Sequence, residues 1–171
     1  MQNNPLRVGV VVVCLAFSNI ASAALIINFN EAGADVLATY SGSFASLPGI
    51  SGFASRTLSN QVASGVPTIY LSGSPGSMGN FWKYGFASNF PTFGSRNSLV
   101  GAPVAGTYSG ATSFILDLNQ LYLPDTYSLG SSISGNATWS GQTFASMQLT
   151  SGSYAGTLTN GETVTVNVGP S

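Results

Sequence analysis

The side chains that most enzymes use for proton transfer and nucleophilic attack are scarce in this sequence. Its 171 residues include no His, and its one Cys, Cys14, lies in an apolar stretch near the N-terminus. Because a Ser-His-Asp triad needs His as its general base, hydrolysis of that kind is excluded. The chemical groups left to the chain are carboxylates, hydroxyls, amides, aromatic rings and four Lys or Arg side chains.

Two carboxylates, Asp117 and Asp125, are the candidates for acid–base chemistry. A pair about 5 to 10 Å apart is sufficient for glycoside hydrolysis. The pattern favours structural roles instead, because Asp117 is expected to point outward from a strand and Asp125 follows Pro124 at a turn. Asn119 adds a third oxygen ligand for calcium, but the spacing matches no calcium-binding loop. We therefore predict no catalytic residue, no metal site and no cofactor.

The densest aromatic run, Phe81 to Phe93, is the candidate for ligand binding. Exposed rings in a row stack on sugar faces, while nearby cations and amides bind hydroxyls or a uronic carboxylate. The candidate ligand-binding residues are Trp82, Lys83, Tyr84, Asn89 and Arg96. Alternation along the run favours the other interpretation, in which one face of a strand buries Trp82, Tyr84 and Phe86 in a core.

The main structural signal of the chain is a series of short segments in which apolar and polar residues alternate, separated by Gly, Ser and Pro. Alternation predicts strands, and no segment has the 3.6-residue spacing of a long amphipathic helix. The predicted strands are Leu25 to Phe29, Val36 to Phe44, Thr68 to Leu71 and Thr112 to Leu118, the last with Phe114, Leu116 and Leu118 inward. Residues 45–66 lack periodicity and are predicted to be a long loop with at most one short strand or helical turn.

Residues 135–154 are predicted to form several short strands joined by tight turns, with Trp139 in the core. Many short strands with little helix indicate an all-β protein. We predict a single-domain antiparallel β-sandwich of the jelly-roll or immunoglobulin-like kind.

A closing hairpin is marked by Asn160-Gly161. A two-residue turn would place apolar residues on both faces of this hairpin. A three-residue loop keeps them together through the pairs Leu158–Glu162, Gly156–Val164 and Tyr154–Val166. We therefore predict Gly161 in a left-handed bulge position, where Gly has no steric cost.

Charge is rare, at 5% of residues against about a quarter in typical soluble domains. After residue 23 the basic residues are Arg56, Lys83 and Arg96, and five acidic residues outnumber them. This balance excludes nucleic acid as a partner, because binding phosphates needs a basic face. The surface must be rich in hydroxyl and amide groups, which suits association with polysaccharide or self-association through sheet edges.

Residues 1–23 have the pattern of a cleaved export signal. Arg7 supplies the positive charge, Val8 to Phe17 the apolar core and Ala21-Ser22-Ala23 the cleavage site. About ten apolar residues are too few for a membrane span, which needs about 20. We expect residues 24–171 to form one β-sandwich domain, which contains no Cys.

Several stretches share a recognisable pattern: Leu121-Tyr122-Leu123-Pro124, Tyr127-Ser128-Leu129-Gly130, Gly135 to Met147, Leu149 to Tyr154 and the mature start Ala24 to Phe29. They resemble the ectodomains of PEP-CTERM proteins, which are exported bacterial proteins sorted by exosortase. The middle of the chain matches this pattern weakly.

Two departures from the family pattern follow Tyr154. Members continue with a Trp-x-Trp-Gly-like run, where this sequence has Ala155 to Thr159. Members also end in a Pro-Glu-Pro signal, a membrane helix and an Arg cluster, whereas this sequence ends in Gly169-Pro170-Ser171. Exosortase sorting is therefore not carried over, and no membrane anchor is expected in the mature chain.

The resemblance and the export signal together predict a non-enzymatic surface or extracellular-matrix protein of a Gram-negative bacterium, associated with exopolysaccharide. The alternative is a soluble carbohydrate-binding module that uses Phe81 to Phe93. Exposure of the Trp82 and Tyr84 rings distinguishes the two, because buried rings offer no binding platform.

Overall fold

The computed structural model describes residues 24–72, 76–101, 108–110 and 112–169, so the predicted signal segment lies outside the described residues. Within these ranges the chain forms thirteen strands and one short helix. The strands are β1 (Ala24–Ala32), β2 (Asp35–Gly42), β3 (Ile50–Thr57), β4 (Gln61–Ala63), β5 (Thr68–Leu71), β6 (Met78–Gly85), β7 (Val100–Gly101), β8 (Tyr108–Gly110), β9 (Phe114–Asp117), β10 (Gln120–Pro124), β11 (Ile133–Trp139), β12 (Gly152–Thr157) and β13 (Thr163–Val168), and the helix is α1 (Phe144–Met147).

The strands form two sheets that pack face to face. One sheet has six strands in the order β12-β13-β1-β2-β11-β8, and the other has seven in the order β3-β6-β10-β9-β5-β4-β7. Side chains of both sheets meet in one hydrophobic core. The predicted all-β sandwich is confirmed, and its strand pairs are antiparallel except for β1 and β13, which run parallel.

The six-stranded sheet follows the alternation of its sequence. Leu25, Ile27 and Phe29 of β1 are fully buried, as predicted, and the residues between them point outward. Trp139 on β11 is also fully buried, which confirms its predicted place in the core. Each of five neighbouring strands adds one polar residue to a row across the outer face, here called the polar row: Ser153, Asn167, Asn28, Thr39 and Asn136.

The hairpin of β12 and β13 has the predicted register. Tyr154 pairs with Val166, and the Leu158 N–H donates to the Glu162 carbonyl over 2.7 Å. The loop therefore has three residues. Gly161 has a φ of 94°, in the left-handed region that the register requires.

Two strands lie where a long loop was predicted, which corrects the interpretation of residues 45–66. β3 and β4 both fall inside this segment. β3 is the edge strand of its sheet, buries only Ala54, and has an irregular register between Ile50 and Gly52. An edge strand that buries one side chain carries no alternating signal, which explains the missed strand.

Two further predictions are wrong in detail. Leu118 is 37% exposed because β9 ends at Asp117 and Leu118 lies in the turn to β10. The stretch 135–154, predicted as short strands joined by tight turns, also contains the helical turn α1. Its start is fixed by Thr143 and Ser146, each of which accepts the other's backbone N–H.

Candidate functional site

The outer face of the seven-stranded sheet combines aromatic, cationic and acidic side chains. Tyr122 on β10 lies opposite Lys83 on β6 and Ile115 on β9, and Ile115 lies opposite Tyr70 on β5. Since directly paired residues share a face of a sheet, these side chains form a row across four strands. We name the polar members of this face the outer-face cluster: Arg56, Tyr70, Lys83, Asp117, Gln120 and Tyr122.

The outer-face cluster lies on an apolar layer separate from the main core. Ala54, Phe81, Ile115 and Tyr122 are buried together on this side of the sheet, and Leu58 and Tyr70 pack against them. Phe81 is 1% exposed although it points away from the opposite sheet. The outer face of this sheet therefore has its own small hydrophobic layer, separate from the main core.

Two cations lie over the ring of Tyr122. The guanidinium carbon of Arg56 is 5.9 Å from the ring centroid, and the ammonium nitrogen of Lys83 is 5.6 Å from it. Both distances are within the range of cation–π attraction. Arg56 is exposed and Lys83 is half-buried, so both charged groups reach the surface.

Hydrogen bonds hold the polar groups around this ring. The Tyr122 hydroxyl donates to Oε1 of Gln120 over 3.0 Å. Oδ1 of Asp117 accepts from the Thr68 hydroxyl over 3.2 Å and from the Leu118 N–H over 2.9 Å. The carboxylate of Asp117 therefore has a fixed position on the outer face, opposite Gln120.

Burial raises the pKa of the Tyr122 and Tyr70 phenols above the ordinary value of 10.0. The negative charge of Asp117 raises both pKa values further, while the nearby positive charge of Arg56 lowers them. Both phenols are therefore neutral at physiological pH and keep a hydroxyl hydrogen to donate.

Three rings of the predicted binding run, those of Trp82, Tyr84 and Phe86, lie on the sheet face toward the main core. Tyr84 and Phe86 are each 7% exposed and belong to the main core, and half-buried Trp82 packs against it. Trp82 also makes an edge contact with Phe53 of β3, with ring centroids 5.1 Å apart. Phe53 is 48% exposed, so this pair reaches the surface at the sheet edge.

The three polar members of the predicted site lie apart from one another. Lys83 points to the outer face and joins the outer-face cluster. Asn89 is exposed in the segment after β6. Nη1 of Arg96 donates to the carbonyl of Ser146 on α1 over 3.1 Å. The structure therefore brings Lys83 together with Arg56 and two tyrosines, and not with Asn89 or Arg96.

Asp117 and Asp125 lie at opposite ends of β10. Asp117 pairs with Gln120, and Asp125 follows Pro124, so they are roughly 17 Å apart along the strand at about 3.4 Å per residue. This separation is too large for paired carboxylates in glycoside hydrolysis. In the described part of the chain, no three His, Cys, Asp or Glu residues lie together as a metal site.

Arg56, Tyr70 and Tyr122 were not among the residues expected to form a site. A usable signal was present in Leu121-Tyr122-Leu123, because two inward Leu residues place the Tyr between them on the outer face. Nothing local in the sequence joins Arg56 to this face, since its pairing with β6 is set by the fold.

No helix among the described residues is both long and apolar enough to cross a membrane. No protein-family model, curated protein or solved structure matches the chain. Function is therefore inferred from the sequence pattern and from the geometry of the outer-face cluster.

Proposed function

We propose that this is an exported, non-enzymatic surface or extracellular-matrix protein that associates with bacterial exopolysaccharide. Three observations support the proposal: the export-signal pattern of residues 1–23, the resemblance to PEP-CTERM ectodomains, and a surface with few charges and many hydroxyl and amide groups. A surface of this kind exchanges hydrogen bonds with sugar hydroxyls at little desolvation cost.

The outer-face cluster is the proposed contact for acidic polysaccharide. The observation that carries this assignment is that two of only four basic residues in the chain, Arg56 and Lys83, lie over one tyrosine ring. Arg and Lys are suited to uronic carboxylates, and the half-exposed ring of Tyr70 offers an apolar face to a sugar ring. Asp117 restricts the face to ligands whose acidic groups are spaced apart.

A second candidate is a soluble carbohydrate-binding module that uses the surface end of the predicted aromatic run. The observation in its favour is the contact of Trp82 with Phe53, whose ring is 48% exposed. This pair presents aromatic surface without a cation on the same face, which suits neutral glycans.

The test is calorimetric titration of the purified protein with polygalacturonate and with neutral dextran. We expect binding of polygalacturonate that weakens with added salt. An Arg56→Gln, Lys83→Gln double variant should bind about tenfold more weakly, a loss of about 1.4 kcal/mol. Arg96→Gln is the matched control, because Arg96 bonds to α1 instead.

Equal binding of polygalacturonate by the double variant and the wild type would rule out the outer-face cluster as the contact. Binding of dextran that disappears in Phe53→Ala would favour the second candidate. The absence of binding to either polymer would contradict the proposed association with polysaccharide.

A further inference from the structure

A pocket of about 450 Å³ opens next to the outer-face cluster, at the end of the sheet where β10 ends. Phe81 belongs both to the lining of this pocket and to the apolar layer beneath Tyr122. The two regions are therefore neighbours on one surface, but their polar groups come from different residues. The volume falls in the range of small-molecule sites, about 300 to 1,000 Å³.

The floor of the pocket is apolar. Half-buried Leu58 and Pro124 contribute its apolar surface, and Phe81, which is 1% exposed, packs against Leu58. Gly79 keeps the floor open, because a Cβ there would lie 2.8 Å from Cε2 of Phe81 and 3.2 Å from Cδ2 of Leu58. Any larger residue at this position would displace the Phe81 ring or the Leu58 side chain.

The rim of the pocket is polar, and hydrogen bonds within the protein hold it in place. Ser113, Asp125, Ser128 and Ser131 supply hydroxyl and carboxylate groups to the lining. The backbone N–H of Asp125 donates to the carbonyl of Asn80 over 3.1 Å. The Tyr127 hydroxyl donates to the Ser131 carbonyl over 3.0 Å and accepts from the Phe44 N–H over 3.1 Å. These contacts fix the turn after β10, so the rim is formed before a ligand arrives.

The charge of the lining selects the class of ligand. Among the lining residues, Asp125 is acidic and none is basic. An anion would meet the Asp125 carboxylate without a compensating cation, which disfavours it. A pyranose ring matches the chemistry of this lining. Its C–H face suits an apolar floor, and its hydroxyls can donate to a carboxylate and to serine oxygens.

We propose that this pocket binds one neutral sugar residue, with its ring on Leu58 and Pro124 and its hydroxyls donating to Asp125. The charge preference is opposite to that of the outer-face cluster. The pocket can therefore bind a neutral sugar whether or not the cluster binds acidic polysaccharide.

The test is a titration of the isotope-labelled protein with the methyl glycosides of glucose, galactose and mannose, followed by amide chemical shifts. At least one should shift the amides of Phe81, Ser113 and Asp125 in a saturable manner, with a Kd in about the millimolar range. Methyl glucuronide, the anionic counterpart, should bind at least about tenfold more weakly, because it meets the Asp125 carboxylate.

Variants test whether the glycoside binds in the pocket or elsewhere on the surface. Ser128→Trp should fill the entrance and abolish the shifts, whereas Ser140→Trp, at an exposed turn after β11, should leave them unchanged. The Arg56→Gln, Lys83→Gln variant should also bind the glycoside normally, which distinguishes this proposal from the proposed function. The proposal is overturned if none of the three neutral glycosides shifts these amides, or if the shifts survive in Ser128→Trp.

Discussion

The outer faces of the two sheets use their side chains differently. On the six-stranded sheet, the polar row joins side chains by hydrogen bonds at the surface, as in the 2.7 Å contact of Ser153 with Asn167 and the 2.8 Å contact of Asn167 with Asn28. On the seven-stranded sheet, the outer face buries Phe81 and Tyr122, and two cations lie over the Tyr122 ring. One sheet therefore has a single apolar face, whereas the other has two.

This difference separates a sheet face that only contacts water from one that buries aromatic rings. A sheet face that only contacts water can consist of Ser, Thr and Asn with little loss of stability. A face that buries aromatic rings away from the main core must be covered by long side chains, and here Arg56 and Lys83 contribute to that cover. The same side chains are then available to bind a ligand.

The largest expected effect compares one outward apolar residue from each sheet. Phe81→Ala should lower the free energy of unfolding by about 3 to 5 kcal/mol, because it leaves a cavity in a buried layer. Ile26→Ala on the six-stranded sheet should cost less than about 1 kcal/mol, since Ile26 is already 39% exposed. Urea denaturation of both variants measures the difference, and similar losses would contradict the contrast between the faces.

The next largest effect is the dependence of the free energy of unfolding on pH that Tyr122 contributes. Its pKa is raised by burial, so its contribution to stability is fully present below pH 10.0 and is lost as the pH rises through the folded-state pKa. Tyr122→Phe should cost about 1 kcal/mol at neutral pH through the lost hydrogen bond to Gln120. It should also reduce the fall of unfolding free energy above about pH 10.

Denaturation of the wild type and Tyr122→Phe over a pH series checks this expectation. Part of the alkaline loss should remain in the variant, because Tyr70 and Tyr84 also have raised pKa values. Identical alkaline slopes in the two proteins would show that the Tyr122 phenol is not buried as described.

The smallest effect is expected in the polar row. Asn167→Ala removes two side-chain hydrogen bonds, but water can replace them at this half-exposed position. The loss of unfolding free energy should be about 0.5 kcal/mol, and Thr165→Ala on the same face is a suitable comparison. A loss above about 2 kcal/mol would mean that the row stabilises the sheet as a connected network.

The sequence predicts the six-stranded sheet better than the seven-stranded one for a physical reason. Leu25, Ile27 and Phe29 alternate with outward residues, so the sequence predicts both the strand and the inward direction of these side chains. In β9 the run Phe114-Ile115-Leu116 is buried on both faces, so its local pattern does not show which side faces the main core.

The outer-face cluster depends on pairings that no local pattern encodes. Arg56 reaches Tyr122 because β3 pairs with β6 and β6 pairs with β10. The predicted run from Phe81 to Phe93 contained one member of this cluster, Lys83, but alternation sends its neighbours Trp82 and Tyr84 to the opposite face. A cluster built across strands is visible only after the strand order is known.

The parallel pairing of β1 with β13 has a consequence for how the chain folds. It joins residues as far apart as Asn28 and Asn167, which are 139 positions apart in sequence. Contacts of such separation form late and slowly, because a long loop must close first. During synthesis, β1 lacks one of its two neighbours until β13 has emerged, so the chain cannot complete its fold until nearly all of it has been made. The proposed export is compatible with this delay, because a chain that has not completed its fold can still be threaded through a narrow channel.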